Sequence, residues 1–60
     1  MKRDIVITVK GADKTCEVYI DGKFYFCHSY KYTENAIQAA NAYVDQYKHH
    51  APTLSIDLRG

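Results

Sequence analysis

Neither sign of charge prevails in this sequence: eight Lys and Arg stand against seven Asp and Glu, leaving a formal +1 with both signs spread along the chain. Proteins that grip duplex DNA draw much of their affinity from phosphate contacts, so this balance argues against a role built on a basic field. Long apolar runs are also missing. None approaches the ~18 residues of a membrane-spanning helix, and no charged-then-apolar start resembles a secretory signal, so a cytoplasmic protein with no membrane partner is expected. Only two cysteines occur, and in that compartment they should stay reduced. There is no C-x-x-C and no pair of histidines one helical turn apart, because His49 and His50 are adjacent and diverge around a helix. That spacing implies no metal site and no cofactor.

The 60 residues allow one hydrophobic core and therefore a single domain, 1–60, which at this size buries only about 60% of the surface of its unfolded chain. With disulfides and metal set aside, self-association or docking on a larger protein is the expected source of further stability.

The elements read plainly. Asp4 to Lys10 alternates Ile5, Ile7 and Val9 with Val6 and Thr8, a strand pattern rich in β-branched residues. Gly11 to Thr15 reads as a loop, Cys16 to Ile20 as a second strand, Asp21-Gly22 as a reversal and Lys23 to Tyr32 as a third, aromatic strand. Thr33 is the expected N-cap of a helix, with Tyr32 and Ile37 placed as a hydrophobic staple. Thr33, Ala36, Ile37, Ala40, Tyr43, Val44 and Tyr47 line one side of that helix at 100° per residue. A short strand with alternating Leu54, Ile56 and Leu58 closes the chain. The fold class is thus α+β: an antiparallel three-stranded sheet packed by one helix and followed by a C-terminal strand, in the order β-β-β-α-β.

One helix covers one sheet face, so the register of the second and third strands decides what the other face displays. A two-residue Asp21-Gly22 turn would set Cys16 opposite Cys27 and bring Glu17 among Phe24 and Phe26. A three-residue Ile20-Asp21-Gly22 loop with a bulge would pair Val18 with Phe24 and Cys16 with Phe26, and its coincident apolar sets favour it. The helix side then gathers Ile5, Ile7, Val9, Cys16, Val18, Phe24, Phe26, Tyr30, Ile37, Ala40, Val44, Tyr47, Leu54, Ile56 and Leu58. The open face carries Val6, Thr8, Glu17, Tyr19, Lys23, Tyr25, Cys27, Ser29 and Lys31, an amphipathic composition of the kind interfaces use.

Catalysis finds little footing. Cys27 and His28 are the one suggestive pair, and neighbours on a strand point to opposite faces, so no enzyme activity is expected. Aromatics on an open sheet can stack on unpaired bases with lysines reaching phosphates, which makes nucleic acid the alternative partner through Tyr19, Tyr25, Lys23 and Lys31.

The stretches CEVYIDGKFYF and YKYTENAIQAANAY resemble the three-stranded-sheet-plus-helix domain of plant AP2-type factors and the arm-binding domains of phage integrases. The likeness runs from Cys16 to Leu58 and rests on an alanine-rich helix after Thr33, with Ala36, Ala39, Ala40 and Tyr43 in the matching region. It implies the architecture and no site residues: that family reads DNA with arginines and tryptophans on the open sheet, and this chain has no tryptophan and no arginine there. The order of elements is also similar to the N-terminal domain of HicB-type antitoxins. The expected function is a small non-catalytic protein-protein interaction module, in the manner of a phage or mobile-element accessory regulator or inhibitor. Its partner is a second copy or a larger protein, met through Val6, Thr8, Tyr19, Lys23, Tyr25, Cys27 and Lys31.

Overall fold

The computed structural model describes residues 3–58. Strands β1 (Ile5–Lys10), β2 (Thr15–Ile20) and β3 (Lys23–Ser29) lead into helix α1 (Thr33–Gln46), a 3-10 turn at Lys48–His50 and strand β4 (Thr53–Asp57). The sheet order is β3-β2-β1-β4. β1, β2 and β3 form the expected antiparallel meander, but β4 pairs parallel to β1, so the four-stranded sheet is mixed. The helix is the reason: it returns the chain across the sheet from the β3 edge to the free edge of β1, and a parallel neighbour needs such a crossover.

The β2-β3 register matches neither expected alternative along its whole length. Asp21 and Gly22 form a two-residue turn with φ of 54° and 80°, the positive values that Asp-Gly tolerates and that suit the twist of a hairpin. Ile20 therefore pairs with Lys23 and Tyr19 with Phe24. The ladder then slips by one residue at Tyr25, and beyond this bulge Val18 pairs with Phe26, Glu17 with Cys27 and Cys16 with His28. The expected pairs Val18 with Phe24 and Cys16 with Phe26 do not form. A straight ladder from this turn would have set Glu17 opposite Phe26; the extra residue keeps the carboxylate away from the core and sends Phe26 into it. Asp21 also ties the turn to the start of β1, its N–H donating to the Asp4 carbonyl at 2.7 Å and its carboxylate accepting from the Asp4 N–H at 3.1 Å.

The core consists of Ile5, Ile7 and Val9 from β1, Cys16 and Val18 from β2, and Ala36 and Ala40 from α1, all at most 2% exposed. Ile20, Phe26, Tyr30, Ile37, Tyr43, Val44, Tyr47 and Leu54 pack around it, half-buried. The two alanines have no side chain beyond Cβ, which lets the helix backbone lie close to the sheet. Phe26 meets Tyr43 of the helix edge to face, with ring centres 5.2 Å apart. Three residues expected on the helix side are exposed, Phe24 58%, Ile56 42% and Leu58 62%: Phe24 has changed faces, whereas Ile56 keeps the helix side beside Val9. The two-residue turn pairs Phe24 with Tyr19 on the face opposite the helix, and β4 lies at the sheet edge, where the helix gives little cover.

The helix start also differs from expectation. Tyr32, extended at φ −130°, takes the N-cap position without a side-chain cap. Thr33 is the first helical residue, and its hydroxyl donates to the Gly11 carbonyl at 3.2 Å, fastening the helix to the β1-β2 loop. Tyr32 stays 54% exposed instead of serving as a buried staple. Among the described residues no helix is long and apolar enough to cross a membrane.

This arrangement ranks two large side chains against their size. Ile7→Ala should cost about 2–5 kcal/mol of stability in urea or thermal denaturation, the usual range for emptying a buried site, and Phe24→Ala less than about 1 kcal/mol. Comparable losses would contradict the placement of Phe24 outside the core.

Candidate functional site: the uncovered sheet face

With α1 on one face, the other face is formed by the alternate residues of all four strands: Val6, Thr8 and Lys10 from β1, Thr15, Glu17 and Tyr19 from β2, Phe24, Cys27 and, as expected, Ser29 from β3, and Thr53, Ser55 and Asp57 from β4. Glu17 sits in the middle, between Thr8 and Cys27 on the neighbouring strands. Its side chain is only 12% exposed although no element lies above it, because long neighbours lean over it. The Lys10 ammonium stands 3.1 Å from Oε1, an ion pair short of an aligned hydrogen bond and the sole partner of that buried oxygen among the described residues. The Tyr19 hydroxyl donates to Oε2 at 3.2 Å. Glu17 holds the Lys10 ammonium above the ordinary lysine value through this contact and its charge. The Tyr19 phenol is raised as well, first by its hydrogen bond to the carboxylate.

Beside this polar centre lies an aromatic pair. The rings of Tyr19 and Phe24 meet edge to face at 5.7 Å, the separation that favours such contacts. Phe24 is left largely in solvent, and Cys27 is exposed on the same face.

Of the residues expected at the partner surface, Val6, Thr8, Tyr19 and Cys27 come together here. Lys23, Tyr25 and Lys31 do not. Lys23 pairs with Ile20 and so belongs to the helix side at the hairpin end. Tyr25 is the bulge residue, 60% exposed, with its ring 5.2 Å from that of Phe26. Lys31 follows the end of β3, its Nζ 5.6 Å from the centre of the Tyr32 ring. Phe24 and Lys10 were missed as members of the face. Lys10 was legible from the alternation of β1; Phe24 needed the two-residue turn and the bulge to be read together.

The cysteines are free, Cys16 buried and Cys27 exposed. They lie on opposite faces, as expected, and burial pushes the Cys16 thiol above its ordinary value. Among the described residues no group of three His, Cys, Asp or Glu side chains is placed to hold a metal. A hollow of about 360 Å³ at the hairpin end, lined by Arg3, Ile20, Asp21, Lys23, Phe24 and Tyr25, opens broadly to solvent. It brings no nucleophile to a base.

Raised values for Lys10 and Tyr19 mean that their share of stability is present at neutral pH and is lost as pH climbs through the folded-state values, above about pH 10. Glu17→Gln removes the cause. Tyrosine absorbance and thermal melts across the alkaline range should show Tyr19 ionising at lower pH in the variant and a shallower alkaline loss of stability. Tyr30, raised mainly by burial, contributes equally to both proteins, so superimposable profiles would contradict the network. No family model matches this chain, and neither a curated protein nor a solved structure matches it.

Proposed function

We propose that this chain is a small non-catalytic interaction module that docks on another protein through the uncovered sheet face. The observation that carries this reading is Phe24: the two-residue turn sets a large aromatic side chain beside Tyr19, 58% exposed, on a face that no part of the described chain covers. Aromatic side chains are enriched at interfaces because they contribute much contact area for little lost freedom. Around the pair, Val6, Thr8 and Cys27 supply a flat, mildly apolar surround, and Glu17 with Lys10 offers a polar centre already neutralised within the face. Such a surface suits a regulator or inhibitor that works by covering part of a larger protein. A phage or mobile-element accessory role agrees with the size and the order of elements.

The nucleic-acid alternative draws less support from the arrangement. Lys23 and Lys31 lie away from the Tyr19-Phe24 pair, and Lys10 is engaged with Glu17. A base stacked on the pair would meet no free ammonium of the open face among these three.

Site-specific photocrosslinking in the native cell distinguishes the readings. A photoreactive phenylalanine analogue at position 24 should give a discrete protein adduct, and the same group at Gln38, on the exposed side of α1, should give none. An adduct removed by nuclease would assign the face to nucleic acid; absence of any adduct at position 24, or equal adducts at both positions, would contradict a docking face.

A further inference from the structure

The two edges of the sheet are unlike each other. β3 has the bulge at Tyr25, Lys23 at its start and His28 near its end, features that discourage pairing with another strand. β4 has none of them: Thr53–Asp57 runs without a bulge against β1 and carries no charge before Asp57. Successive residues of a strand turn their backbone groups to alternate sides. The Asp57 carbonyl faces inward and accepts from the Gly11 N–H at 2.6 Å, so the backbone groups of Leu54 and Ile56 face the outer edge. Their side chains share the helix side with Ile7 and Val9. Even so, Ile56 is 42% and the following Leu58 62% exposed, an apolar row along an edge that no described element covers.

We propose that this edge pairs antiparallel with β4 of a second copy, about a two-fold axis at Ile56. Self-complementarity selects that occupant. In this register Ile56 opposes Ile56, Leu54 opposes Leu58 and Ser55 opposes Asp57. No like charges face each other, the exposed apolar side chains cover one another, and the outward backbone groups of Ile56 and Leu54 find partners. The contact is the same on both chains and closes at two copies. Pairing of β4 with β3 of another copy would instead propagate without closing, and the bulge and Lys23 oppose it. The dimer is independent of the open-face reading, because edge pairing leaves Tyr19 and Phe24 uncovered. A contact this short makes a weak, concentration-dependent dimer.

Sedimentation equilibrium of the full chain over roughly a thousandfold range of concentration should show a monomer-dimer equilibrium. Ile56→Lys sets two ammonium groups opposite each other and should raise the dissociation constant by at least about tenfold. Mixing it with Ile56→Glu should restore a dimer of the two variants, and Phe24→Glu should leave dimerisation unchanged. In the unmodified protein the Ile56 N–H should be protected from hydrogen exchange at high concentration and exchange freely on dilution. Monomer throughout, growth beyond two copies, wild-type association in Ile56→Lys, loss of the dimer in Phe24→Glu, or exchange independent of concentration would each overturn the assignment.

Discussion

A single helix laid against one side of a four-stranded sheet sets every other property of this molecule. Ala36 and Ala40 bring α1 down onto the side formed by Ile5, Ile7, Val9, Cys16 and Val18, and among the described residues those seven side chains are the fully buried core. Among the described residues no element covers the second side. A layer of pleated strands with one apolar face shielded and the other in water must make the second face tolerable to water or have it covered by something else. This chain does some of each: Glu17 answers the charge of Lys10 and accepts from the Tyr19 hydroxyl, while Phe24 meets the Tyr19 ring and stands largely in solvent.

The bulge at Tyr25 reconciles two local demands that conflict. Asp21-Gly22 is best accommodated as a two-residue turn, and that turn counts the residues of β3 out of step with the apolar residues of β2. One residue added to β3 restores the step, so Phe26 reaches Val18 and the helix. The cost is local. Phe24, before the bulge, and Tyr25, within it, stay in solvent. The exposed aromatic surface thus follows from the turn, which places Phe24, and from the bulge, which places Tyr25, and it is concentrated at one end of the sheet.

Much of this was legible in the residues. Alternation in β1 and β2 and the helical stripe from Ala36 to Tyr47 are local patterns, and the structure bears them out because burial of one face enforces them. The parallel pairing of β4 was not legible: a short alternating strand such as Thr53–Asp57 carries no mark of its neighbour, and only the path of the helix decides it. The residues between β2 and β3 fit either a two-residue turn or a three-residue loop with a bulge, whereas the chain uses a two-residue turn and then a bulge, which puts Lys23 and Phe24 on the faces opposite to those expected. Thr33 has the chemistry of a cap, yet the Gly11 carbonyl drew its hydroxyl away, a contact between residues distant in sequence. The candidate face was therefore legible in kind and in its central members Val6, Thr8, Tyr19 and Cys27, but not in its most exposed one.

Thiol labelling of the native chain tests the division into a covered and an uncovered face most directly, since the register sends Cys16 and Cys27 to opposite sides. A thiol reagent followed by mass spectrometry should modify one cysteine per chain, Cys27, in the folded protein, and modify Cys16 only after unfolding. Equal labelling of both, or protection of Cys27 in the isolated monomer, would contradict the account.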